Sequence, residues 1–290
     1  MAQGYYNPDE LAKINEMELG ILKDFIGVCE KHNLTYFGMA GTGLGAVRHQ
    51  GFIPWDDDID IAIPRKDFDI LIKVFEEEYS DKYHILNTQH NPDYPLPTTR
   101  ICINGTKFVE RFFTEINCDF GIFLDVFPFD NLADNRWRRF WQLWIAWFWG
   151  KLIILRSIKN PYLSFGGFGG KIIRFICAMV HYVLRGLHIS KKWLHRRCMH
   201  ALKKFNGKET RLIGFPCDTS PHYNTISRDK VFPLIEMEFE GMMLKFPNDT
   251  HYMLEMTYGP DYMQLPPVEK RKTHFPAYLD FGDGHTINGD

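Results

Sequence analysis

The chain has 290 residues, 45% of them hydrophobic and 15% aromatic, with a formal net charge of −2. That is ample for a folded core in one large domain or two ordinary ones, and the average charge says nothing about partners. Cys29, Cys102, Cys118, Cys177, Cys198 and Cys217 form no CxxC pair, which argues against a structural zinc site or a disulfide framework and for a reducing compartment. Residues 1–18 are polar and lack the basic start and apolar run of a secretory signal, so a cytoplasmic chain is expected.

Residues 8–32 predict an amphipathic helix, with Leu11, Ile14, Leu22, Phe25 and Val28 on its apolar stripe. A short buried strand at 36–40 runs into Gly41-Thr42-Gly43-Leu44-Gly45, read as a turn before a helix that starts near Ala46. A second strand spans 58–63. Pro64 ends it, and 66–79 has helical spacing through Phe68, Leu71, Ile72 and Phe75. Residues 83–89, 98–103 and 107–113 read as short strands, with Asn104-Gly105 as a hairpin signal. The apolar run 121–127 is interrupted by one acid, Asp125, and closed by Pro128.

The middle of the chain differs in kind. Residues 136–211 hold 17 Lys/Arg and a single acid, Glu209, a net of +16, so the remainder carries −18. Trp137, Phe140, Trp141, Trp144, Trp147, Phe148 and Trp149 cluster there beside Arg136, Arg138, Arg139 and Lys151. Further on, Ile172, Ile176, Met179, Val183 and Leu187 share a helical face, and 161–170 reads as a loop. Tryptophans among cations resemble a membrane-interface belt facing anionic lipid. The apolar run at 140–155 falls short of the ~20 residues needed to span, so it is expected to lie on a bilayer. A helical subdomain with a solvated basic face is the competing reading, and nucleic-acid binding is disfavoured. From about 206 composition returns to average, and 257–267 predict a rigid, turn-rich tail. The expected division is a core at 1–135 completed by 212–290, with 136–211 as a basic, aromatic helical insertion.

Asp58 and Asp60 alternate with Ile59, Ile61 and Ile63, which places both carboxylates on one face of a strand. Adjacent carboxylates repel unless a cation lies between them, and hard oxygen ligands suit Mg²⁺ or Mn²⁺. Asp56 is either a partner of these ligands or an exposed turn residue, and Asp57 reads as part of the same turn. Backbone N–H groups at Gly41, Thr42 and Gly43 can approach a phosphate, although a purely steric need for glycine explains the cluster as well. Asp125 is a further ligand or a buried acid paired to a base.

The run from Gly41 to Asp60, GTGLGAVRHQGFIPWDDDID, closely resembles the LicD/fukutin-type phosphotransferase family of the nucleotidyltransferase superfamily. Phe123-Leu124-Asp125-Val126-Phe127-Pro128 is similar to it too, as is a tail of Tyr258-Gly259, Pro266-Pro267, Arg271 and His274. The resemblance implies an α+β fold, a nucleotidyltransferase-like mixed sheet with flanking helices. It also implies transfer of a phospho-alcohol, typically phosphocholine from CDP-choline, to a sugar hydroxyl of a glycan or lipid-linked glycan. Asp58, Asp60 and Asp125 would hold the metal, and Asp125 by preference would orient or deprotonate the acceptor hydroxyl. Arg48, Arg100 and Lys107 would contact the diphosphate, Thr42 would bond a phosphate, and Arg271 and His274 would fold over the site. A lipid-linked acceptor would place the protein peripherally on the inner face of the cell membrane. Transfer of a nucleoside monophosphate, or an inert membrane-binding module of the same fold, are the alternatives.

Overall fold

The computed structural model describes residues 6–161, 167–271 and 273–289. Helix α1 (Pro8–Lys31) opens on a capping box, in which Asn7 caps the helix and Glu10 bonds back to the Asn7 N–H. It is followed by β1 (Phe37–Gly38), α2 (Ala40–His49), β2 (Asp60–Pro64), α3 (Arg65–Glu78), β3 (Tyr83–Leu86), β4 (Thr99–Ile103), β5 (Lys107–Glu110) and β6 (Phe123–Leu132). Three helices come next: α4 (Arg136–Ser157), α5 (Gly167–Gly186) and α6 (Lys191–Leu202). The chain continues through β7 (Leu212–Phe215), β8 (Asn224–Ser227), α7 (Arg228–Val231), β9 (Ile235–Phe239), β10 (Met242–Phe246), α8 (Thr250–Tyr258), β11 (Pro276–Asp280) and β12 (Thr286–Asn288).

Seven strands build a mixed sheet in the order β1-β2-β6-β4-β3, with β7 and β8 added where the far half of β6 curls away. Strands β2 and β6 run parallel, and β4 lies antiparallel on the other flank of β6. The registers put Asp60 opposite Asp125, and Asp125 opposite Arg100, in one row across three strands. Both faces are covered, as a sheet with a parallel centre requires. Ile59, Ile61 and Ile63 pack with Leu22 and Phe25 of α1 and Phe68 and Leu71 of α3. Ala62, on the opposite face, packs with Phe37, Phe129, Ala146, Ile153, Leu194 and Cys198 under α4 and α6. The α+β class and mixed sheet with flanking helices are as expected.

Three local expectations change. The glycine cluster is the opening of α2 itself rather than a turn before it. Two of its glycines are there for close approach: a Cβ on Gly41 would lie 2.6 Å from the Asp56 carboxylate, and one on Gly45 2.3 Å from the Gly51 carbonyl. The expected loop at 161–170 ends earlier, because α5 starts at Gly167, while 162–166 lie outside the described residues. The extra turn makes α5 a 20-residue helix of mean hydropathy 1.3, long and apolar enough by length and composition to cross a membrane. The turn-rich tail also leads into two strands: β11 pairs with both β5 and β12.

Candidate active site

The acids meet where β2 and β6 begin. Carboxylate oxygens of Asp58, Asp60 and Asp125 all lie within 4.8 Å of one another. A second group, Asp57, Asp58 and His274, meets the same limit, so Asp58 belongs to both. The Asp60 backbone is fixed from two sides: its N–H donates to Thr42 Oγ1 at 2.8 Å, and its carbonyl accepts from Met39 N–H at 3.1 Å. The start of α2 and the first acid of β2 are thereby one unit.

Asp57 is fully buried, and its oxygens are satisfied by donors. Tyr6 donates its hydroxyl at 2.6 Å, and the His274 N–H donates to both carboxylate oxygens at 2.9 and 3.0 Å. The His274 ring is half-exposed, with Nδ1 3.4 Å from oxygens of both Asp57 and Asp58. On the other flank the buried Arg100 guanidinium donates to Glu110 at 2.7 Å and to Asp125 at 3.3 Å, and lies 3.7 Å from the centre of the Phe123 ring. Its Nη1 has no partner among the described residues.

So many acids packed against one another cannot all ionise freely. Burial pushes the Asp58 carboxyl up to about 6 while His274 pulls it back. Burial and then the charge of Asp58 hold Asp60 and Asp56 well above the usual carboxylate range. Burial also raises Asp125, against the pull of Arg100. Beneath them lies Glu18 of α1, 0% exposed, raised by burial and by Asp58, with neither oxygen partnered among the described residues. His274 moves the opposite way for a base: burial lowers it, but Asp58 and Asp57 prevail and hold it well above its ordinary value. Excess negative charge on hard oxygen donors is the environment that a divalent cation such as Mg²⁺ relieves, and Asp58, Asp60 and Asp125 fit one.

The other expected residues divide. Gly41 lies against Asp56 beside the site, and Met39 at the helix N-cap contributes no side-chain cap. Gly43 meets only Leu254 at ordinary contact distance. Thr42 uses its oxygen on Asp60, and Arg100 uses its charge on Asp125 and Glu110. Arg48 donates to the carbonyls of Tyr262 and Gln264, holding down the tail. Arg271 stacks 4.2 Å from the Trp55 ring centre, next to the acidic run. Lys107 is paired with Asp119 at the surface of β5. Sequence reasoning passed over Tyr6, Glu18, Glu110 and the role of Asp57. Glu18 had a signal: it falls four residues from both Ile14 and Leu22, on the buried stripe.

Known proteins resemble parts or most of this chain. Residues 33–152 match the family LicD/FKTN/FKRP, nucleotidyltransferase domain. The lipopolysaccharide cholinephosphotransferase LicD of Haemophilus influenzae is 25% identical over 272 residues, covering 88% of this chain and 92% of the relative. Uncharacterized proteins of Rickettsia prowazekii and Rickettsia typhi are each 51% identical over 47 residues, spanning 18% and 15% of their lengths. Residues 33–152 are thus similar to the LicD/FKTN/FKRP nucleotidyltransferase domain.

Proposed function

We propose that this LicD-like transferase moves phosphocholine, or a related phospho-alcohol, from a CDP-activated donor to a sugar hydroxyl of a cell-surface glycan or its lipid-linked precursor. The observation that carries the reading is the convergence of Asp58, Asp60 and Asp125 within 4.8 Å. The full-length similarity to an enzyme named for lipopolysaccharide and phosphocholine supports it. Asp58, Asp60 and Asp125 would hold Mg²⁺, or Mn²⁺, which when bound supplies neutralising charge for the diphosphate and the departing CMP.

The chain's own groups do the rest. The start of α2, where Met39 offers no cap, presents N–H groups and the positive end of a helix dipole to a donor phosphate. The His274 ring, whose pKa Asp58 and Asp57 hold above its ordinary value, donates to a phosphoryl oxygen. Asp125, fixed by Arg100, orients the acceptor hydroxyl. A lipid-linked acceptor would place the enzyme on the inner face of the cell membrane.

The test is incubation with CDP-choline, Mg²⁺ and lipopolysaccharide lacking phosphocholine. Release of CMP with labelling of the glycan is expected. Pyrophosphate released from CTP instead would favour nucleotidyl transfer. Absence of CMP from every CDP-alcohol offered, in the presence of Mg²⁺ or Mn²⁺, would overturn the proposal.

A further inference from the structure

Helix α5 is attached by one side and bare on the other. Gly170, His181 and Leu184 are buried, and His181 Nδ1–H donates to the Leu155 carbonyl of α4 at 2.7 Å. Opposite them Phe168, Ile172, Phe175, Met179, Tyr182 and Val183 recur at three- and four-residue spacing, and each is 46–80% exposed. Only 17% of the most apolar window of this helix is buried. Helix α4 repeats the arrangement. Gln142 fixes its inner side, bonding Ala133 N–H and the carbonyls of Asn131 and Leu202, while Trp137 at 70% and Trp141 at 61% face outward. A soluble surface rarely keeps so continuous an apolar face uncovered.

The charge around these faces identifies what covers them. Lys171, Arg174 and Arg185 flank the α5 stripe, and between 136 and 208 the chain has no acid at all. Between α4 and α6 a groove of about 570 Å³ combines Trp141 and Ile145 with Arg138, Arg197, His200 and Lys204. A second copy of this chain would bring two +16 segments together, whereas an anionic lipid surface complements them. The helix is long enough to span, at ~30 Å for 20 residues. Its basic flank and its polar tie to α4 through His181 favour lying in the plane.

We infer that the exposed apolar faces of α4 and α5 insert into the interface of an anionic bilayer, with the basic residues of α4–α6 on lipid phosphates. The inference rests on the membrane-side placement proposed above and names the surface that makes it. Aromatic rings sit at headgroup depth, and the groove between α4 and α6 receives headgroup phosphate.

Vesicle flotation of the full chain tests this, with phosphatidylcholine alone and mixed with phosphatidylglycerol, at low and high salt. Binding is expected at least about tenfold stronger to the anionic vesicles, weakening as salt screens it. Phe175→Glu with Met179→Glu should abolish flotation while leaving the melting temperature unchanged, since both side chains are exposed. Lys171→Ala with Arg185→Ala should weaken anionic binding about thirtyfold. Equal binding to both vesicles, indifference to salt, or wild-type flotation of the glutamate variant would overturn the inference. So would a stable dimer that the glutamate variant dissociates, because the face would then belong to a second copy. Asp58→Asn should stop transfer and leave flotation intact, so failure of the chemistry and failure of the docking are told apart.

Discussion

Replacing Arg100 with methionine removes a cation whose surroundings are two acids and an aromatic ring. The guanidinium is 4% exposed, donates to Glu110 at 2.7 Å and to Asp125 at 3.3 Å, and stacks 3.7 Å from the Phe123 centroid. Methionine keeps an unbranched, polarisable stem against that ring, so the loss is one of charge more than of volume. Two carboxylates then stay buried without a counter-charge, and deleting one partner of such a pair costs about 3–5 kcal/mol. For a chain of this size that corresponds to a fall in melting temperature of roughly 10 °C. Dependence on pH distinguishes this cause from general damage. Burial already raises the Asp125 carboxyl, and without Arg100 it rises further. A raised acid stabilises the fold fully below its unfolded pKa and loses that contribution as pH climbs through the folded value. The deficit of Arg100→Met is therefore largest at neutral pH and shrinks on acidification. Circular-dichroism melts of variant and wild type across that range measure it. A neutral-pH deficit under about 1 kcal/mol, as an exposed pair would give, or one that deepens in acid, refutes the reasoning.

Asp60→Asn should reduce transfer by at least about 100-fold yet raise the melting temperature of the metal-free protein. The carboxyl it removes is held up by burial and by Asp58 and Asp125, so a lower melting point would contradict the repulsion argument. In wild type without metal, Asp58 is raised to about 6 and His274 is raised as well. The Asp58 contribution is present below its unfolded value and lost as pH rises through about 6, so stability should decline from acid toward neutral pH, whereas the His274 contribution is lost only at higher pH. Saturating Mg²⁺ should reverse the neutral-pH loss, by about 2.7 kcal/mol at a hundredfold excess over Kd, and a melt indifferent to Mg²⁺ would deny the site its cation. Glu18→Leu removes a buried carboxyl with no partner among the described residues. It should stabilise the protein by about 1 kcal/mol or more in thermal melts, and a destabilised variant would mean that Glu18 bonds within the site.

What the sequence made legible was local, and what it hid was register. The alternation of Asp58 and Asp60 with Ile59, Ile61 and Ile63 is a pattern of period two, and the isoleucines do fill the core beneath. That Asp125 would stand opposite Asp60 is not written in either segment. It follows from a parallel pairing across 65 positions, and only the family resemblance pointed to it. Arg100 read as a phosphate ligand because a cation near a motif invites that reading. Its strand, Thr99–Ile103, is buried almost throughout, and a cation in a buried strand seeks an acid within the fold. Lys107, four residues beyond that strand on β5, finds Asp119 at the surface instead. Asp57 looked like a turn residue because its partners, Tyr6 and the His274 backbone, come from opposite ends of the chain. The glycines at 167–170 suggested a loop, yet α5 opens at Gly167 and Gly170 is buried within it.

The acids and the aromatic helices meet through one face of the sheet. Asp58 and Asp60 share the side of β2 that carries Ala62, and Ala62 packs with Phe37 and Phe129 beneath Ala146 and Ile153 of α4 and Leu194 and Cys198 of α6. At Gly150, α4 comes so close to the segment after β7 that a Cβ would lie 3.1 Å from Cys217 Sγ. Joining 135 to 212 by a short linker would therefore uncover the apolar floor that continues from the metal-binding row. Burying a single large apolar side chain contributes about 1.5–3 kcal/mol, and several here lose their cover together, against a total stability of only about 5–15 kcal/mol. The excised chain is expected to be insoluble or molten, with exposed-surface dye binding and no cooperative melt. The double glutamate variant of α5, by contrast, is expected to stay folded, since Phe175 and Met179 are exposed. A soluble excised chain that still melts cooperatively would mean that the sheet closes its core without α4 and α6.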